Sequence, residues 1–247
     1  MKKLILHVPH AATSLPSQEG FIHNDEKIQQ EITKLTDWYT DDLFHSETDE
    51  MIVAPFSRIF CDVERFENDE EEIMSKVGMG VLYERFDDGT VLRNITPELR
   101  EHVIYNYYRP HHKALTLAVQ TQLDIEGSCM IVDCHSFPST PLLKGLDQST
   151  NTPDFNIGTD TFHTPQDLID RAVAYFKEKG YSLGVDWPYS GTIVPMAFYK
   201  KDKRVQSIML EVNRKLYLKE PGKEKSDNYA ATKEIVQGFL REMKNNY

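Results

Sequence analysis

Apolar runs of strand length alternate with helical stripes along most of this chain. Lys3-Leu-Ile-Leu-His-Val8, Met51 to Cys61, Cys129-Met-Ile-Val132, Tyr181 to Val185 and Gln206-Ser-Ile-Met-Leu210 read as strands, and apolar residues recur at helical spacing between them. Asn24 or Asp25 opens a first helix in which Ile28, Ile32, Leu35, Trp38, Tyr39 and Leu43 keep the period to about Ser46. That leaves Asp37 and Asp41 for its solvated side. Thr96-Pro97 supplies an N-cap and a first helical position for a second helix running to about Ile125, which Pro110 must kink or split. The same start recurs at Thr164-Pro165, before a stripe of Leu168, Ile169, Ala172, Val173 and Phe176 that ends at Gly180, and a last helix covers about Asn228 to Lys244. Strands alternating with helices predict one α/β domain over residues 1–247, a three-layer α/β/α sandwich around a mainly parallel mixed sheet.

The polar residues that interrupt this pattern fall where the strands stop. Cys129 to Val132 reads as a strand buried on both faces, and Asp133-Cys134-His135-Ser136 follows it directly. Open α/β sheets bind ligands outside the carboxyl ends of their strands, so a site is expected there. Pro9-His10 after the first strand, Asp62-Val-Glu64-Arg65 after Arg58 to Cys61, and Glu211-Val-Asn213-Arg214 after the last strand repeat the arrangement. Two histidines with several carboxylates suit a divalent metal, zinc first. His10 and His135 are the candidate ligands, and Asp133, on the same strand face as His135, is placed to orient its imidazole. His7 reads as structural. Arg65 is the first candidate for holding a substrate carboxylate, with Arg93 and Arg109 behind it. His112 either faces the site from the kinked helix or satisfies carbonyls freed by Pro110; Tyr189-Ser190-Gly191 reads as a loop lining the pocket, as does Ser136.

Charge narrows the ligand. A net charge of −11 argues against nucleic acid, which needs a basic face, and favours a small-molecule partner. No stretch approaches the ~20 apolar residues of a membrane helix, and His7, Pro9 and His10 cut short the apolar segment after Met1, so the expectation is a cytoplasmic protein. Cys61, Cys129 and Cys134, an odd number without paired spacing, read as reduced core thiols. Nothing in the sequence sets the oligomeric state.

Six segments together carry a resemblance. Val8-Pro9-His10, Ser57-Arg58-Ile-Phe-Cys-Asp62-Val-Glu64-Arg65, Tyr108-Arg-Pro110-His-His112, Asp133-Cys134-His135-Ser136, Pro153-Asp154-Phe-Asn-Ile-Gly158 and Glu211-Val-Asn213-Arg214 come in the order seen in the N-formylglutamate amidohydrolase family. The chain resembles that family over about Leu4 to Tyr217, and through it the zinc carboxypeptidases and the aspartoacylase and succinylglutamate desuccinylase enzymes, with their phosphorylase/hydrolase-like sandwich. The resemblance implies a zinc-dependent hydrolase of a linear amide, with N-formyl-L-glutamate giving L-glutamate and formate in amino-acid metabolism such as histidine degradation. His10 and His135 would then match the zinc histidines, and Glu211 the carboxylate that activates water. Read from their own chemistry and position, Arg65 and His112 complete the candidate catalytic set, and Arg65, Arg93, Arg109, Asn213, Tyr189 and Ser136 the candidate substrate contacts. Thr13 stands where the carboxypeptidases place a Glu ligand, so the metal carboxylate is expected from Asp62 or Glu64. Glu64 also replaces an Asn common in the family. A carboxypeptidase or amidase acting on peptide or cell-wall fragments, and a metal-free binding protein, are the alternative readings.

Overall fold

The computed structural model describes residues 2–23 and 25–245. Six strands form one sheet in the order β2-β1-β3-β6-β4-β5, where β1 is Ile5–Val8, β2 Glu50–Val53, β3 Cys129–Phe137, β4 Phe155–Gly158, β5 Leu183–Val185 and β6 Val205–Asn213. All neighbours pair in parallel except β4 and β6, which run antiparallel, so the sheet is mainly parallel and mixed. Strands β1 and β3 are buried along their whole length and β6 at every position but Gln206, which requires cover on both faces.

Alternation of side chains along the strands supplies that cover with two cores. Leu4, Leu6, Val8, Met130, Val132, Cys134, Ile208 and Leu210 face one side, where Leu168, Ala172 and Phe176 of α5 (Gln166–Lys179) and Val236, Phe239 and Met243 of α6 (Tyr229–Asn245) pack on them. Ile5, Cys129, Ile131 and Val205 face the other side, against Leu115, Val119 and Leu123 of α4 (Arg109–Glu126). The three cysteines are buried free thiols. Among the described residues no helix is long and apolar enough to cross a membrane.

Five local features differ from the sequence expectation, and the first three build the site. The helix that starts at Asp25 ends at Leu35 as α1, instead of running on to Ser46; Asn24, the other expected start, lies outside the described residues. Thr36 turns its hydroxyl back onto the Ile32 carbonyl at 2.7 Å, Asp37 donates its backbone N–H to the His10 carbonyl at 3.0 Å, and Tyr39 sits in the left-handed region at φ 63°. A short helix α2 (Thr40–Leu43) follows. The strand expected through Cys61 stops at Val53, and Ser57 to Phe60 form a turn that delivers Asp62 from a loop. Strand β3, by contrast, runs on through the polar cluster to Phe137. Pro110 causes no break: α3 (Pro97–Val103), capped by the Thr96 hydroxyl, widens into a π-helical turn over Ile104–Tyr108 and continues as α4. At the second Thr-Pro start, Pro165 itself takes the cap position, because the Thr164 hydroxyl donates to the Ser207 carbonyl.

Candidate active site

A cavity of about 540 Å³ opens at the carboxyl ends of β1, β3 and β6. Its floor is made by His10, Asp37, His135 and Glu211, with Arg58, Glu64, Arg65, Ser136, Tyr189 and Arg214 around them. His135 and Glu211 stand side by side because β3 and β6 pair in register at these residues. Gly158, at the end of β4, lets the Gly191 carbonyl approach so closely that any Cβ would overlap it, and this seats the loop carrying Tyr189 against the site.

Two imidazoles and one carboxylate converge at the centre. His135 Nδ1 lies 3.3 Å and His10 Nδ1 3.6 Å from Asp37 Oδ2, and the two rings are 5.1 Å apart. The opposite nitrogens are already engaged: His10 Nε2 is 2.8 Å from Asp62 Oδ1, and His135 Nε2 is 3.1 Å from Asp133 Oδ1. An ionised carboxylate only accepts, so each Nε2 carries the hydrogen. His135 Nδ1 carries one as well toward Asp37, since burial lowers its pKa but Asp133 and Asp37 raise it well above the usual imidazole range; a metal ion would displace that hydrogen and take the Nδ1 lone pair. Histidines held by buried carboxylates in this way are the usual support of a metal site. Among the described residues His10 Nδ1 is buried with no hydrogen-bond partner, and the three inward atoms form a group able to hold a metal ion. The donor set of two nitrogens and one carboxylate oxygen fits zinc with a position left open.

Asp37 is the residue that sequence reading missed. Its other oxygen accepts from Arg214 Nη2 at 2.9 Å, and Ser136 N–H reaches Oδ2 at 3.2 Å. Burial would raise its pKa, but His10, His135 and Arg214 hold it far below the usual carboxylate range. Thr13 is exposed and takes no part. The apolar period through Leu35 gave no sign of Asp37, since on a continuous helix that residue lies off the stripe.

The other expected site residues divide into those at the cavity and those away from it. Asp62 lies behind His10, fully buried, and accepts also from Arg58 at 3.0 Å and Tyr83 at 2.7 Å. Burial alone would raise it, and Arg58, His10 and Arg65 keep it well below the carboxylate range. Glu64 lines the cavity, with Oε1 3.1 Å from His7 Nδ1 and 3.9 Å from His135 Nε2. Arg65 faces the cavity with its Nε buried and free of hydrogen-bond partners, 3.4 Å from Asp62. Arg93 is buried elsewhere, donating to the Glu19 and Phe60 carbonyls between the rings of Phe21 and Phe60. Arg109 is exposed and paired with Glu67, and Asn213 holds the Pro153 carbonyl. His112 rests on the Tyr108 ring at 4.1 Å, outside the cavity.

His7 joins the site from behind, where only a structural residue was expected. Its Nδ1 lies 2.9 Å from Asp133 Oδ1 and its Nε2 2.8 Å from His111 Nε2, so Asp133 is shared between His7 and His135. Burial opposes a charge on His7, yet the Asp133 and Glu64 carboxylates push its pKa up to about 9. A histidine raised from 6.5 gives stability that is complete below pH 6.5 and lost as pH rises through about 9. The metal-free protein is therefore expected to lose about 3 kcal/mol over that window, and His7→Gln to remove this slope. Chemical denaturation at pH 6 and pH 9.5 checks it; an unchanged slope in His7→Gln would show that His7 stays neutral.

The sequence model of the family described as N-formylglutamate amidohydrolase matches residues 2–218. The chain belongs to that family. Among solved structures, the N-formylglutamate amidohydrolase from Ralstonia eutropha JMP134 superposes with a TM-score of 0.85 at 22% identity, over 99% of this chain and 95% of that one. The gene product Atu2144 from Agrobacterium tumefaciens superposes with a TM-score of 0.68 at 13% identity, over 99% and 89% of the two chains. These likenesses establish the fold. No curated protein matches the chain. Membership makes this protein an amidohydrolase by class.

Proposed function

We propose that this amidohydrolase is zinc-dependent and cleaves N-acylated acidic amino acids, most simply N-formyl-L-glutamate to L-glutamate and formate. The observation that carries the reading is the convergence of His10 Nδ1, His135 Nδ1 and Asp37 Oδ2, each backed by a buried charged partner. Those three residues would hold the metal. Zinc bound there supplies Lewis acidity beside the scissile amide.

The chain's own residues supply the rest. Glu211, with Oε2 buried and without a hydrogen-bond partner, takes a proton from the attacking water and returns it to the amide nitrogen as the C–N bond breaks. Arg65 receives a substrate carboxylate on its free guanidinium edge, because Asp62 occupies only part of the fork. Arg214 and Ser136 fix Asp37, and Asp62 and Asp133 fix the two imidazoles, so the polar floor is preorganised. Arg58 and Arg214 are held by Asp62 and Asp37, which leaves Arg65 as the guanidinium that meets a substrate carboxylate despite the net charge.

Formate release from N-formyl-L-glutamate by the zinc-loaded protein is the direct test. Turnover that disappears with a chelator and returns with zinc is the expected result. Turnover unaffected by the chelator would remove the metal from the reading, and no turnover in any metal state would remove the substrate.

A further inference from the structure

The cavity has two halves of opposite chemistry. Charged groups fill the floor, whereas the wall beyond it is made by Leu35, Met74, Met79 and Leu142, which belong to or pack against one apolar cluster. At the rim stand two more aliphatic side chains, Ile73 and Leu146, 55% and 71% exposed. Single exposed aliphatics are ordinary on a protein surface. Two of them, on separate segments and facing one cavity whose wall is already apolar, mark a binding surface.

The rim is fixed in place. Asp87, itself buried, accepts from the backbone N–H groups of Leu143 and Lys144 at 3.1 and 2.9 Å, and the Glu220 carboxylate accepts from Ser139 N–H at 3.1 Å. The segment from Ser139 to Lys144, which carries Leu142, is thereby tied down, and Leu146 follows two residues later. At about 540 Å³ the cavity matches pockets that enclose ligands of drug size, roughly 300–1,000 Å³. A one-carbon acyl group on glutamate leaves the apolar half unfilled.

Charge orients the substrate within these halves. The guanidinia of Arg58, Arg65 and Arg214 lie with the histidines, so the acidic amino-acid end belongs on the floor and the uncharged acyl end points to the apolar wall. We infer that the acyl subsite takes an aliphatic chain of about four to eight carbons, which extends the substrate range from N-formyl-L-glutamate to medium-chain N-acyl-L-glutamates. This inference rests on the amidohydrolase reading of the same site.

A chain-length series tests it. With zinc-loaded protein and N-formyl-, N-acetyl-, N-butyryl-, N-hexanoyl- and N-octanoyl-L-glutamate, kcat/KM should rise about two- to fourfold per methylene buried, mostly through KM. Leu146→Glu and Ile73→Asp, both at exposed positions where the fold is not at risk, should each lower the ratio of hexanoyl to formyl kcat/KM about tenfold. Values that are flat or fall with length, or ratios unchanged in both variants, overturn the inference while leaving cleavage of N-formyl-L-glutamate intact. If N-formyl-L-glutamate itself is not cleaved, the parent reading fails, and calorimetry then decides the subsite alone. Tighter binding of N-hexanoyl- than of N-acetyl-L-glutamate supports it; equal or weaker binding overturns it.

Discussion

Glu211→Gln is expected to keep the fold and the metal and to lose about 10²–10⁴ in kcat, the contribution usual for a positioned general base. The amide preserves the shape of the side chain while giving up its basicity, and Glu211 makes no hydrogen bond at Oε2 whose loss would disturb the strand. Burial and, less, the Asp37 charge raise its pKa, His135 and Arg214 pull it back, and the balance lies at about 8. A cation held by His10, Asp37 and His135 would add a further downward pull, because an opposite charge favours the carboxylate. Glu211 is thereby placed near the working pH, where a base is most effective. The acid limb of the pH–rate profile should follow this group and vanish from whatever activity Glu211→Gln retains. Parent turnover in the variant, measured as formate release with zinc content checked in parallel, would reduce Glu211 to a partner of its neighbours.

Much of this architecture is legible in the sequence, because it depends on local and periodic signals. Apolar runs gave β1, β3 and β6, and the histidines and Glu211 that interrupt them fall at the sheet edge where the cavity opens. The Thr96 cap and the Gly180 terminus act as their chemistry dictates. What the sequence conceals is tertiary in origin. Asp37 becomes central only because Thr36 and Tyr39 break a helix that periodicity continues, and because its N–H finds the His10 carbonyl, a contact no window of sequence contains. Arg93 illustrates the converse. A lone arginine near a predicted site suggests an anion, but backbone carbonyls and two aromatic rings already occupy this one. His7 depends in the same way on a contact distant in sequence, with His111 of α4 at 2.8 Å, while His112 rests on the Tyr108 ring.

His135→Ala should abolish high-affinity zinc binding and all turnover that depends on it, since it removes one of three inward donors and leaves Asp133 and Asp37 without the imidazole between them. Glu64→Gln should behave differently. Glu64 Oε1 approaches His135 from the Nε2 side, at 3.9 Å, whereas the donors that converge on Asp37 do so through Nδ1. Its carboxylate therefore acts on the support of His135, through His7 and Asp133, and loss of such support commonly costs about 10–100-fold in affinity rather than the whole site. Zinc titration of the two variants against a competing chelator, with circular dichroism to confirm folding, separates the cases. Zinc bound to His135→Ala at parental affinity would dissolve the proposed centre. Complete loss in Glu64→Gln, matching His135→Ala, would move the metal to the His7, Glu64 and Asp133 group on the other side of the same imidazole.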